Sequence, residues 1–358
     1  MISWLHIVLV YLSSWLLAAL STPFVIMLAQ KYGLVDDPEK RKHPAHVHTG
    51  VIPRAGGLAI YIPILVCSLI FVPMSQILFG ILLGAGLIVI MGLLDDKYDL
   101  SPRIRLFMNF LIVGIVILFG LGIPYISNPF GGVIQLDHFK FTYELFGQTK
   151  NFLVLSNIFA LLWIVAMMNF VNWSSGVDGQ LAGFSGISCL FLGLLALRFS
   201  AHEISSISVA LLAFISAGAF LGYFPWNFYP QKIMPGYSGG ALAGFMLGVL
   251  SILSWGKIGT MALLLSVPIV DGIYSIMRRI MNKKSPLRGD ADHFHHRLLA
   301  IGWGKRRIAV FYLGVSFLFG VSALLFESHE KLLAITIVMV LLALFIGITN
   351  RIKSQGQG

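Results

Sequence analysis

Two adjacent carboxylates, Asp95 and Asp96, close an apolar run in MGLLDDKYDLSP, with Asp99 three residues beyond. Just past a membrane helix such a pair can hold a divalent metal or a cation-bridged phosphate, or one member can accept a proton while its neighbour shifts its pKa. The competing reading is a solvated helix end. A second group lies in MMNFVNWSSGVDGQLAG, where Asn169 and Asn172 share a helix face and Gly176, Asp178 and Gly179 form a turn into the next apolar run. Two amides converging on an acidic turn suit a nucleotide-phosphate or metal site; interhelical hydrogen bonding is the alternative. The third group, SPLRGDADHFHHRLLAIG, places His293, His295 and His296 beside Arg288, Asp290, Asp292 and Arg297. Zinc would want a tetrahedral set that neither Cys nor a further acid completes here, so His and Arg donating to phosphate or sugar hydroxyls fit better. The weakest group is DDPEKRKHPAHVHTGVIPRAGG, where Lys42, His48 and their neighbours can meet a phosphate and Gly56 and Gly57 allow close backbone approach.

These groups need elements to position them, and composition says which. Hydrophobic residues make up 57% and charged residues 11% of 358, so a water-soluble fold is excluded. Nearly uncharged runs recur at 2–30, 56–73, 77–94, 106–123, 152–171, 181–197, 204–224, 239–255, 258–277, 308–326 and 332–349, each near the ~20 residues that span a bilayer. The expectation is an all-α polytopic membrane protein of about 11 transmembrane helices, forming a single membrane domain over 1–358. The first run lacks a basic n-region and is too long for a signal core, so it reads as a retained helix. The stretch around 123–151 alternates and predicts a short external β-hairpin. Cys67 and Cys189 lie in apolar runs and read as core filler.

With the N-terminus outside and the C-terminus cytoplasmic, 20 of the 25 basic residues fall on the inner side. The inside loops are then 31–55, 95–105, 171–180, 225–238 and 278–307, and every group named above lies in or beside one. The net charge of +10 describes a cytoplasmic face that meets anionic lipid headgroups and substrates, with no nucleic-acid implication, and the expected location is the plasma (inner) membrane. A transporter would bury polar groups near the bilayer midplane. Only Asn109, Asn169 and Asp271 fall inside or at the edge of a span, which favours a site at the cytoplasmic surface.

Taken in order over 35–300, the four groups resemble the polyprenyl-phosphate N-acetylhexosamine-1-phosphate transferases, the family that includes the phospho-N-acetylmuramoyl-pentapeptide transferase. Arg41, Lys42, His48, Pro53, Arg54, Gly56 and Gly57 match one family element, Asp95 and Asp96 its aspartate pair, and His293 and His295 its histidine motif. Eleven spans match the glycan-initiating branch, not the ten-span peptidoglycan branch. Two positions depart from the pattern. Ser175 stands where the family has an aspartate after the asparagine motif, and Tyr237 falls on its metal-binding aspartate.

The resemblance implies transfer of a hexosamine 1-phosphate from a UDP-sugar to undecaprenyl phosphate, releasing UMP. It implies Asp95 as base or acceptor positioner, with Asp96 orienting it or reaching a metal. Asn172 becomes a ligand of magnesium, or manganese in its place, although half of the usual pair is missing at Tyr237. Asp178 and Asn169 fall to the nucleotide side, His293, His295 and Arg288 to the diphosphate and sugar, and Lys42 and His48 to a supporting role. A homodimer is the implied assembly. The alternative from another class is an inactive scaffold or lipid-phosphate binder, for which Tyr237 and Ser175 are the grounds.

Overall fold

The computed structural model describes residues 3–39, 50–123, 125–128, 132–145, 148–199, 204–254, 258–285, 292–326 and 328–355, which are mostly helical. Helix α1 (Trp4–Lys31) leads into a short antiparallel pair, β1 (Val35–Asp36) with β2 (Ile52–Pro53), and then α2 (Gly56–Phe71), α3 (Gln76–Tyr98) and α4 (Pro102–Leu118). Two further antiparallel pairs follow, β3 (Tyr125–Ser127) with β4 (Val133–Gln135) and β5 (Lys140–Leu145) with β6 (Gln148–Leu153). The rest is α5 (Val154–Trp173), α6 (Gln180–Phe199), α7 (Ile204–Asn227), α8 (Gly236–Leu253), α9 (Ile258–Leu264), α10 (Ser266–Met281), α11 (Phe294–Ala300), α12 (Lys305–Leu325) and α13 (Ser328–Gln355).

Eight of these, α1, α3, α5, α6, α7, α8, α12 and α13, are long and apolar enough to cross a membrane, and the chain is a multi-pass membrane protein. Helix occurs in each of the eleven apolar runs, but α2 and α4 have 16 and 17 residues. The run at 258–277 is not one helix. It breaks at Leu265 between α9 and α10, because Pro268 has no N–H to give the carbonyl four residues earlier and its ring crowds that position. Large apolar side chains such as Leu5, Leu12, Leu16 and Leu20 of α1 and Leu333, Leu341 and Leu344 of α13 are exposed, as suits a surface in contact with lipid.

At the centre stands α8, buried from Tyr237 to Ile252 and packed against α3, α5 and α2. Its approach to α5 needs glycine: a Cβ on Gly244 would run into the backbone of Met167 and Met168. Small residues at a helix contact let backbones come close enough for dispersion to hold them where lipid competes equally for apolar surface, and Trp163 Nε1 adds a hydrogen bond from α5 to Ser251 Oγ of α8 at 2.9 Å.

The α3–α4 corner is written in local chemistry. Asp99 ends α3 in the left-handed conformation (φ 54°), its N–H bonded to the Asp95 carbonyl at 2.8 Å. Ser101 then caps α4 by accepting from Ile104 N–H, and Pro102 opens it at the position where a missing donor costs nothing. Asp95 and Asp96 are thereby fixed in the last turn of α3, and Arg105 in the first turn of α4.

Candidate active site

The two aspartates of the pair have different surroundings. Asp96 is saturated: it accepts from Tyr237 N–H at 2.7 Å, from Ser238 N–H at 3.3 Å and from Ser238 Oγ at 2.8 Å, and it pairs with Arg54 Nε at 2.9 Å. Its carboxylate therefore satisfies the first free amides of α8 from a neighbouring helix, where a helix leaves donors and partial positive charge unpaired. Burial would lower the Arg54 pKa, but Asp96, Asp36, Asp95 and Asp99 outweigh it and hold the guanidinium above its usual value. Gly236 at φ 67° precedes this turn, and a Cβ there would strike the Asp96 carboxylate. Met234 completes the clip by donating to Pro53 O at 2.8 Å and accepting from Gly56 N–H at 3.0 Å.

Asp95 is fully buried and only half satisfied. Its Oδ2 meets Arg105 Nη1 at 3.3 Å, and its Oδ1 has no hydrogen-bond partner among the described residues. The Arg105 side chain is 26% exposed and lies 5.0 Å from the centroid of the Tyr237 ring. The Tyr237 hydroxyl faces Asn109, accepting from Nδ2 at 3.0 Å and donating to Oδ1 at 3.3 Å. Arg105 thus covers both an anion and a phenol.

Around α5 the amides and the acidic turn separate. Asn169 Nδ2 bonds back to Val165 O at 2.7 Å within its own helix. Asn172 sets its Oδ1 against Gly240, one turn along α8 from Tyr237, so these two residues flank one face. Ser175 donates to Asn172 O at 2.5 Å. Asp178 is buried and accepts from Gln231 N–H at 3.3 Å and Lys305 Nζ at 3.2 Å, while Gly179 N–H binds Asn227 Oδ1 at 3.2 Å. The 171–180 turn is therefore fastened to the 225–238 loop and to the start of α12.

The histidines sit on a prepared base. His293 Nδ1 lies 2.9 Å from Asp271 Oδ2 and 3.3 Å from Ser275 Oγ, and Phe294 N–H donates to Asp271 Oδ1 at 2.9 Å. An ionised carboxylate only accepts, so Asp271 assigns the proton to Nδ1. The ring stacks on Trp173, 6.0 Å between centroids, and the Arg279 guanidinium lies 5.5 Å from that tryptophan. His295 is 1% exposed, packs its Nε2 against Gly176, and has no hydrogen-bond partner on either ring nitrogen among the described residues. Burial, reinforced by His296 and His293, drives its pKa well below the usual imidazole value. Lys42, His48 and Arg288 lie outside the described residues.

Five loops distant in sequence thus meet: Arg54 reaches Asp96, Asp96 reaches Tyr237 and Ser238, Asp178 reaches Lys305, and His295 reaches Gly176. Sequence reasoning gave no role to Arg105, Asn109, Trp173, Asp271 or Lys305. For Asp271 the signal was present, as a carboxylate in an otherwise apolar run; for Arg105 it was the Ser-Pro helix start that sets it one turn into α4.

A magnesium ion is the metal the family implies, and the donors test that. Magnesium takes near-octahedral hard oxygens. Asp96 and Asp178 spend their oxygens on N–H, hydroxyl and ammonium donors, Asp95 shares its site with a guanidinium, and the Tyr237 phenol is bound to Asn109. Of these donors that leaves the neutral Asn172 oxygen and Asp95 Oδ1, and no group of three His, Cys, Asp or Glu side chains with metal-holding geometry occurs among the described residues. The set does not fit a dication held by the protein.

Residues 78–255 match the model of glycosyl transferase family 4. The chain is 32% identical over 94% of its length to a probable undecaprenyl-phosphate N-acetylglucosaminyl 1-phosphate transferase of Bacillus subtilis, covering 90% of that protein. It is 29% identical to the decaprenyl-phosphate N-acetylglucosaminephosphotransferase of Mycolicibacterium smegmatis, over 99% of this chain and 90% of the relative. It is also 29% identical to the undecaprenyl-phosphate alpha-N-acetylglucosaminyl 1-phosphate transferase of Escherichia coli K12, over 94% and 88%.

Proposed function

The chain belongs to the polyprenyl-phosphate N-acetylhexosamine-1-phosphate transferases of glycosyl transferase family 4, and on that premise we propose that it moves N-acetylhexosamine 1-phosphate from a UDP-sugar to undecaprenyl phosphate. UMP is released, and the product starts a cell-envelope glycan. The protein is a phosphotransferase. It works as one membrane domain of eleven crossings in the plasma membrane, N-terminus outside, and as a homodimer; the 20 inner-side basic residues support the cytoplasmic placement of the site.

An oxygen of the lipid phosphate attacks the sugar-linked phosphorus of the nucleotide sugar, and the bond from that phosphorus to the oxygen bridging to the nucleotide phosphate breaks. Little covalent chemistry falls to the protein, so positioning and charge carry the rate. A phosphate monoester has its second pKa at about 6, so the acceptor arrives largely deprotonated. Asp95 Oδ1, buried and unpartnered, takes any remaining acceptor proton and orients the attacking phosphate. This is the observation on which the reading rests most heavily.

Asp96 is a positioning residue that fixes the start of α8. Asn169, Asn172 and the Asp178–Lys305 pair serve the nucleotide side. His293, held by Asp271, and His295, with two uncommitted ring nitrogens, serve the diphosphate and sugar with Arg288, supported by Lys42 and His48.

Purified protein given undecaprenyl phosphate and a panel of UDP-sugars forms the lipid-linked sugar diphosphate, and Asp95→Asn reduces the rate by on the order of 10²-fold or more. No product with any UDP-sugar, with or without magnesium or manganese, overturns the reading.

A further inference from the structure

The disagreement between the donor set and a dication points to a different source of positive charge. We propose that the site works without a resident divalent metal, and that the Arg105 guanidinium, seated between Asp95 and Tyr237, supplies the charge that holds the diphosphate of the nucleotide sugar. This rests on the transferase reading and specifies how its substrate is bound.

Three observations converge on Arg105. Its Nη1 is 3.3 Å from Asp95 Oδ2, so the incompletely satisfied Asp95 carboxylate already has a monovalent counter-ion on the protein. Its side chain is 26% exposed while Asp95 is fully buried, so a cation arriving from the open side meets a like charge first. At the position where the resemblance would put a metal-binding aspartate stands Tyr237, whose hydroxyl is bound to Asn109 while its ring receives Arg105 at 5.0 Å. Cation and ring are mutually stabilising; a carboxylate at 237 would have answered a metal instead.

Two of the site's other carboxylates are already committed. Asp96 is bound to Arg54, Tyr237 N–H and Ser238, and Asp178 to Lys305 and Gln231 N–H, so neither leaves an oxygen free for a shared ion. A guanidinium also offers paired N–H donors that match phosphate oxygens, a geometry a metal site would have to build from several ligands.

Equilibrium dialysis of the full-length protein in detergent with labelled UDP-N-acetylglucosamine separates the cases, run once with EDTA and once with millimolar magnesium. The wild type binds with affinities that agree within about twofold in the two conditions. Arg105→Ala weakens binding by about tenfold or more in both, while Arg105→Lys, which keeps the charge, loses less. Tyr237→Asp on the Arg105→Ala background places a carboxylate beside Asn172 and makes binding magnesium-responsive. A thermal unfolding scan of each variant identifies any that has failed to fold, and Arg105→Lys then carries the comparison. Wild-type binding that rises more than about tenfold with magnesium and is lost in EDTA overturns the proposal but leaves the transferase reading intact. Binding in neither condition, together with no transfer to undecaprenyl phosphate from any UDP-sugar, overturns both.

Discussion

Replacing Asp96 tests whether this carboxylate is structural and its neighbour catalytic. In Asp96→Ala, the Arg54 guanidinium, 15% exposed, loses its 2.9 Å partner, and Tyr237 N–H, Ser238 N–H and Ser238 Oγ lose their acceptor. Removing one partner of a buried pair costs about 3–5 kcal/mol, and loss of a helix-capping acceptor about 1 kcal/mol more. Asp96→Asn keeps one acceptor for Tyr237 N–H but turns an amide NH₂ toward the Ser238 donors and leaves Arg54 without an anion. Its cost falls at roughly 2–3 kcal/mol. Equilibrium unfolding in mixed micelles of rising SDS fraction reads both. Arg54→Gln combined with Asp96→Asn removes charge from both sides and recovers part of the loss, so the cycle is non-additive by 1 kcal/mol or more, a coupling typical of residues in direct contact. An Asp96→Asn protein within about 0.5 kcal/mol of wild type, or an additive double mutant, would refute the capping role. Asp95→Asn supplies the contrast: it gives up one partly exposed ion pair and an unpartnered oxygen, so it unfolds within about 1 kcal/mol of wild type while losing transfer.

Asp271→Asn cannot accept from both His293 Nδ1 and Phe294 N–H through one oxygen. The ¹⁵N shifts of His293 should therefore report a changed tautomer, and transfer should fall on the order of 10²-fold without loss of fold. Gly176→Ala drives a methyl into His295 Nε2 and costs about 1–3 kcal/mol, measurable as earlier unfolding. The fold also loses stability as pH falls below about 6.5, because the unfolded chain protonates His295 there while the folded one, its pKa depressed by burial, does not. That contribution is intact above the unfolded value and declines by up to about 1.4 kcal/mol per pH unit until the folded pKa is reached. His295→Gln should flatten this slope; an unchanged slope would assign it to other groups.

The sequence by itself determined the class of the molecule. Charge-poor runs near bilayer length can only be helices, because lipid offers backbone groups no partner, and 20 of 25 basic residues on one side set the orientation we propose. It also named Asp95, Asp96, Asn172, Asp178, His293 and His295, because polar residues beside apolar runs are conspicuous. What it could not see was the pairing across the fold. Asp95 and Asp96 are adjacent in sequence and equivalent by type, yet the side chains of one turn point to different neighbours, so one is left with a free oxygen and the other is consumed by Arg54 and the first amides of α8. The grip of Asp271 on His293 and the seat of Arg105 on Tyr237 likewise depend on contacts between residues 22 and 132 positions apart, which local periodicity does not carry. Only the tertiary structure sets the Arg105 guanidinium beside Asp95 and over the Tyr237 ring, because only packing decides which charge faces which.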